Sequence, residues 1–190
     1  MSRLTALRSP TALMLFLVTA LAGIALDQWS KVAAFERLSD GVVWNADRTS
    51  VTAINSQTYR FVPGYVHFEV IANRGAVFGV GQGKRMLFIG VSIAAIFFIF
   101  YLFAVSDKQR FYQFILGMLL AGVVGNLYDR IKFEYVRDMI HALPRWPHLF
   151  PYIFNVADSL LCVGVFFMIV HSFFSSHSLK QAAQTDPSAA

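Results

Sequence analysis

The sequence predicts a mainly α-helical membrane protein, with four transmembrane helices and a small extramembrane β-sheet at the membrane surface. Three observations carry that expectation. Of the 190 residues, 56% are hydrophobic and only 14% charged, a balance too apolar for an ordinary soluble domain. Four apolar stretches, at about 11–26, 86–105, 111–128 and 152–174, have the length needed to cross a bilayer, the first of them with its flanks. Between the first two, Val66, Phe68 and Val70 alternate with Tyr65, His67 and Glu69, the period of a half-buried strand.

The first span, Thr11–Leu26, is uncharged and reaches roughly 24 Å as a helix. Ala20-Leu21-Ala22 fits the small-x-small pattern of a cleaved secretory signal. The apolar run continues past it to Leu26 with no polar region before the cut, which favours a retained helix. Asp27 and Lys31 follow at a spacing of four, so on a continuing helix they share a face and can pair. The plainer alternative is an interfacial helix end, with Trp29 in the aromatic belt and Lys31 snorkelling to water. Residues 32–84 form the long extramembrane region and the expected sheet. Asn73–Gly79 breaks its strand, and Gly75 and Gly79 permit a tight backbone path there.

Met86–Val105 is a clear span, and Ser106–Arg110 a short polar hairpin. In the third span Gly117, Gly122 and Gly125 suit close helix packing. Residues 131–151, with Pro144, Pro147 and Pro151, read as an interfacial connection. The fourth span carries Asn155 and Asp158, and residues 175–190 read as a flexible tail. A single integral-membrane domain over 1–174 is expected.

The net charge of +5 comes from basic residues scattered between apolar runs, so no nucleic-acid partner is expected. The lone Cys162 excludes an intrachain disulfide and a cysteine metal cluster, and its apolar neighbours make it a packing residue. His67, His141, His148, His171 and His177 show no paired metal-ligand spacing, and neither a nucleophile elbow nor a phosphate loop occurs. With four spans, both termini share one side with Arg3, Arg8, Lys108, Arg110 and Lys180. The remainder of the 16 Lys/Arg lie on the other. A plain count favours the long region inside the cell and the density of basic residues the opposite, so charge leaves orientation open.

The costliest residues for a membrane margin lie between Asn126 and Asp158. Asp138 precedes span four and Asp158 lies in its first turns, so both can reach one membrane face. Asn126 and Arg130 share a face of span three, and Asn155 lies three residues before Asp158. Two carboxylates held close cannot both ionise easily, and such a pair can activate water with one member and protonate a leaving amine with the other. The reaction class is peptide hydrolysis without a covalent intermediate. Ser159 lacks a positioned base and is a poor nucleophile. The competing reading is a buried ion network of Asp27, Lys31, Asp129, Arg130, Asp138 and Asp158 that fixes helix packing in a non-enzymatic transporter or assembly factor.

Five motifs occur in order: Asp27-Gln28-Trp29-Ser30-Lys31, Asn73-Arg74-Gly75-Ala76-Val77-Phe78, Gly125-Asn126-Leu127-Tyr128-Asp129-Arg130, Val136-Arg137-Asp138-Met139 and Phe154-Asn155-Val156-Ala157-Asp158. This ordered set, within residues 11–174, resembles the lipoprotein signal peptidases, or signal peptidase II, a family of membrane aspartic proteases. The resemblance implies that Asp138 and Asp158 are the catalytic dyad. Asn73, Gly75, Asn126, Arg130 and Asn155 would line or support the substrate site, and Asp27 and Lys31 would hold the pocket. It implies no cofactor or metal. The implied substrate is a diacylglyceryl-modified bacterial prolipoprotein, cut just before its lipidated cysteine. Membrane lipids would surround a monomeric, multi-pass protein of the bacterial cytoplasmic (inner) membrane. Both termini would be cytoplasmic, with Asp27–Arg85 and the dyad toward the outer face. Two positions depart from the family pattern: Met139 replaces the usual Phe after Asp138, and Glu134 the usual Gly two residues before Val136.

Overall fold

The computed structural model describes residues 6–44, 51–75, 83–107 and 109–185. A 3₁₀ turn at Ala6–Arg8 leads into α1 (Pro10–Leu38), then β1 (Ser39–Trp44), β2 (Val51–Ser56), β3 (Tyr59–Val62) and β4 (Val66–Asn73). There follow α2 (Arg85–Ala104), α3 (Arg110–Lys132), β5 (Val136–Ala142), β6 (Ile153–Phe154) and α4 (Val156–Thr185). Among the described residues, four helices are long and apolar enough to cross a membrane, as expected.

The centre of the bundle is α3. Two-thirds of its apolar window is buried inside the protein (67%), against 11% for α2. Its glycines explain how its neighbours come so close. A Cβ on Gly117 would lie 2.8 Å from the Phe16 carbonyl of α1, and one on Gly122 2.6 Å from the Ala157 carbonyl of α4. Phe16 stacks on Phe103 of α2 at 4.3 Å, and Ile115, Leu116 and Leu119 close the apolar core around that pair. The outward faces stay apolar: Met86, Phe97, Phe173 and Phe174 are all at least 70% exposed. Such a surface is a liability in water and is the expected one in hydrocarbon.

Several boundaries differ from the sequence expectation. The first helix does not stop near Leu26 but runs to Leu38, so residues 32–38 are helical rather than part of the surface region. Its polar continuation remains helical because Ala33, Ala34, Glu36, Arg37 and Leu38 are strong helix formers. Span four begins at Val156, and Tyr152–Asn155 stays outside the helix behind Pro151. The tail is not loose from residue 175, since α4 continues to Thr185 through Leu179, Lys180, Gln181, Ala182 and Ala183.

The expected strand at 65–71 is β4, but its sheet draws half its strands from elsewhere. Antiparallel order is β3-β4-β5-β6, with Ile71 opposite Asp138 and Asn73 opposite Val136. Residues 131–151 are therefore not merely a connection. The β1–β2 hairpin forms a separate ribbon, tied to the sheet where Val70 N–H donates to Ser56 Oγ (2.7 Å). Residues 45–50 of the surface region and Ala76–Gly79 of the Asn73–Gly79 turn lie outside the described residues.

Glu134 sits in the turn between α3 and β5 with φ of 70°, left-handed backbone that disfavours any side chain with a Cβ. Arg85 holds it. That guanidinium pairs with Glu134 Oε1 (2.5 Å) and donates to the carbonyls of Arg130 (2.8 Å) and Ile131 (3.3 Å) at the end of α3. Glu134→Gly relieves the strain and loses only an exposed pair, whereas Glu134→Ala keeps the strain and loses the same pair. Denaturation in detergent is expected to rank Gly above Ala by about 1 kcal/mol.

Candidate active site

The site forms where the polar end of the helix bundle meets the sheet. It starts on α1. Asp27 and Lys31 are fully buried one turn apart, with Lys31 Nζ 2.8 Å from Asp27 Oδ2. Lys31 therefore does not snorkel; Trp29, on the opposite side of the helix, is the residue exposed to the surroundings. Lys31 Nζ also lies 3.2 Å from Asp129 Oδ2 and donates to Asn126 Oδ1 (3.2 Å), both on α3.

Asp27 reaches α4 as well. Its Oδ1 accepts from Ala157 N–H (2.9 Å), one of the orphan donors in the first turn of that helix. Asn155 caps the same turn, its Oδ1 accepting from Asp158 N–H (2.9 Å) and its carbonyl from Ser159 N–H. A carboxylate at this end also complements the helix dipole. Gly125 is required for the approach, because a Cβ there would lie 2.5 Å from Asp27 Oδ2.

Asp138 and Asp158 are brought to this junction from different elements, β5 and α4. Both are buried, at 0% and 6% exposure. Asn73 at the end of β4 donates to Asp138 Oδ2 (3.0 Å), and Asn155 donates to Asp138 Oδ1 (2.6 Å). Asn126 donates to Asp158 Oδ1 (2.7 Å), and Asn155 Nδ2 also donates to Asn126 Oδ1 (3.1 Å). The two carboxylates are thus joined through a bridge of two asparagines. Gly75 N–H donates to Asn73 Oδ1 (2.9 Å), and Arg130 Nη2 to the Gly75 carbonyl (3.0 Å), so the turn after β4 is tied to α3. All nine residues expected from the sequence meet in this one region.

Burial pushes the Asp138 carboxyl from the ordinary 3.8 up to about 7, and the neighbouring Asp158 charge adds to that rise. Hydrogen bonds from Asn73 and Asn155 and the Lys31 charge oppose it. Near neutrality, Asp138 accordingly sits where it can hold or release a proton.

Three further participants lie outside the nine expected site residues. Gln28 donates to Asp27 Oδ2 (2.9 Å) and to the Gly125 carbonyl (3.2 Å). Asp129, read only as structural, binds both Lys31 and Arg137. Arg137, beside Asp138 on β5, has no role in the sequence expectation and donates to both Asp129 and Gln28. Gln28 and Asp129 carried a usable signal, since both belong to the ordered motifs. Among the described residues, no buried side-chain nitrogen or oxygen lacks a partner.

A sequence profile described as signal peptidase (SPase) II matches residues 19–174. The chain belongs to the signal peptidase II family. It is 34% identical to a lipoprotein signal peptidase of Rhodopirellula baltica over 176 residues, spanning 84% of this chain and 71% of that one. To the lipoprotein signal peptidase of Enterococcus faecalis it is 31% identical, over 87% of this chain and 91% of the relative. Two solved bacterial membrane enzymes share the fold. One is 24% identical with a TM-score of 0.68, covering 85% of this chain and 88% of the other. The second is 25% identical with a TM-score of 0.63, covering 82% and 90%. This family member is therefore a membrane peptidase that acts on lipoprotein signal peptides, with four apolar helices and a small antiparallel sheet.

The buried cation at the centre of the site sets a stability expectation. Lys31→Met leaves Asp27 and Asp129 without their shared partner and should destabilise the protein by about 3–5 kcal/mol. Lys132→Met, on the exposed end of α3, should cost less than about 1 kcal/mol. Unfolding of the two variants in the same detergent checks the contrast.

Proposed function

We propose that the chain is an aspartic endopeptidase in which Asp138 and Asp158 form the catalytic dyad. Its substrate is a diacylglyceryl-modified prolipoprotein, cut immediately before the lipidated cysteine. The observation that carries this reading is the pair of buried carboxylates joined through Asn126 and Asn155, with Asp138 poised near neutral pH.

The chemistry follows from one proton shared between two acids. The ionised carboxylate takes a proton from a water molecule, whose oxygen attacks the carbonyl carbon of the scissile peptide. The protonated carboxyl supports the developing oxyanion. A proton then passes to the departing nitrogen, which leaves as the amine of the lipidated cysteine. No covalent bond to the protein forms. The apolar residues exposed around the site, Leu26 and Val32 on α1, Met86 and Leu87 on α2 and Ile131 on α3, suit a substrate whose acyl chains stay in the bilayer while its peptide reaches the junction. Supporting roles go to Asn73, Gly75, Asn126, Arg130 and Asn155, with Asp27 and Lys31 holding the pocket. The proposed enzyme is a monomer. The family resemblance supports a location in the bacterial inner membrane, with both termini cytoplasmic and the dyad toward the outer face.

Asp138→Asn and Asp158→Asn should each abolish cleavage of a diacylglyceryl-modified precursor, with folded protein still recovered from membranes. Sequencing the product's new N-terminus fixes the cut. Normal cleavage by either variant removes that residue from the dyad, and absence of cleavage by the wild-type enzyme favours a purely structural ion network.

The pH profile is a second test. Activity requires one proton on the pair, so kcat/KM should fall as pH rises through about 7. For stability, the folded Asp138 binds its proton more tightly than the unfolded chain between about 4 and 7. Its contribution is therefore fully present below that window and is lost as pH rises through it. An alkaline limb that is absent in this range would contradict the assignment.

A further inference from the structure

We infer that Arg137, acting through Asp129 and Lys31, is a positioning residue for the Asp138–Asp158 dyad. The inference rests on the aspartic reading above and adds to it a group to which the resemblance gives no role.

The first observation is where the side chain goes. Val136 to Met139 are all buried, so both faces of β5 are covered at this end. Successive strand residues face opposite sides. One side carries Asp138, and the other presents Arg137 to the end of α3. There its backbone N–H donates to Asp129 Oδ2 (3.0 Å), and its Nη2 donates to Asp129 Oδ1 (2.7 Å). Its Nε sits between both oxygens, at 3.2 and 3.3 Å. Nη2 also donates to Gln28 Oε1 on α1 (2.6 Å), and the guanidinium lies 4.3 Å from the Phe133 ring centroid. A single side chain thus fastens the strand carrying Asp138 to two helices, one residue away from the carboxyl.

The second observation is the charge pattern. Asp129 is fully buried and has two cationic partners, Lys31 and Arg137. Lys31 is shared in turn among Asp129, Asp27 and Asn126 Oδ1, and Asn126 holds Asp158. With Arg137 in place, Asp129 is neutralised from the strand side, and the Lys31 ammonium remains directed at Asp27 and the asparagine bridge. Without Arg137, Asp129 becomes the least compensated charge nearby and competes for Lys31. Among the described residues, the charged groups around Asp138 are Asp27 and Lys31 from α1, Asp129 and Arg130 from α3, Arg137 from its own strand and Asp158 from α4. The end of β4 contributes the neutral Asn73. Of these, Arg137 touches neither carboxylate nor its hydrogen bonds and reaches the pair only through Asp129 and Lys31.

The test is a charge-balanced cycle read by cleavage of a diacylglyceryl-modified precursor peptide by full-length protein in detergent micelles. Arg137→Met should lower kcat by about 10- to 100-fold, since displaced positioning groups have effects of that size, with KM within about twofold. Its alkaline limb should move to higher pH, because loss of a cation favours the protonated dyad. Adding Asp129→Asn removes the matching anion, so the double variant should regain activity over Arg137→Met and bring the limb back toward the wild-type position. Arg137→Lys keeps the charge and loses the two-pronged grip, so kcat should fall with the limb unmoved. It also decides the matter if Arg137→Met is not recovered folded. A wild-type kcat and limb in Arg137→Met, or in Arg137→Lys if that is the variant available, overturns the role. So does a double variant no better than the single one. Asp138→Asn, assayed beside them, separates the two levels: its inactivity keeps the dyad whatever Arg137 does, and its activity removes the dyad itself.

Discussion

Asp27 is the residue on which the polar end of the bundle depends. A carboxylate with no exposure, inside a helix bundle, costs several kcal/mol of desolvation unless its oxygens are fully engaged. It meets that condition with Lys31 on its own helix, Gln28 beside it and the Ala157 N–H of α4. The requirement propagates. Gly125 must lack a side chain for the carboxylate to fit, and α4 must begin where its first-turn donors can reach Asp27. Once those are satisfied, α1, α3 and α4 are in register, and Asn126 faces Asp158 as a consequence. The proposed catalytic pair is thus set by an ion pair that touches neither of its members directly.

Segment length and periodicity made the four helices and the strand β4 legible, because a membrane span and an alternating strand announce themselves locally. The strand carrying Asp138 did not. Val136–Ala142 has its first four residues buried on both faces, so the alternation that marks a half-buried strand is missing, and the three nearby prolines suggest a connection instead. Lys31 misled in a similar way. A lysine beside a tryptophan just past an apolar run reads as an interfacial anchor, and only the arrival of α3 with Asn126 and Asp129 turns it into a buried cation. The nine expected site residues were legible because their motifs stand in the order that the family resemblance carries. The Gln28–Arg137–Asp129 links were not, because each joins elements whose juxtaposition no local pattern specifies.

The two departures from the family pattern are absorbed without disturbing that geometry. Met139 is 2% exposed and fills the place next to Asp138 with an unbranched, adaptable side chain. Glu134 occupies left-handed backbone that glycine would take freely, and Arg85 spans from it to the last carbonyls of α3. The turn into β5 is therefore closed by side-chain contacts rather than by backbone freedom. Because β5 begins two residues later, that bracing contributes to where Asp138 comes to rest.

The donors immediately around the two carboxylates are amides, and that choice has a chemical reason. A lysine or arginine bonded to each acid would hold both ionised and leave no proton to share. An asparagine donates a directed hydrogen bond while adding no charge, so it orients the acid and opposes the rise in proton affinity only partly. Asn155 also needs its oxygen: it caps α4 through Asp158 N–H while its nitrogen serves Asp138 and Asn126. An aspartate there would supply the cap and lose the donor, and a glutamine would place the amide one carbon too far from the helix start. The cations Lys31 and Arg130 contact Asn126 rather than the acids, through its side-chain oxygen and its backbone carbonyl. The Lys31 field reaches Asp138 through a neutral layer and moderates its proton affinity.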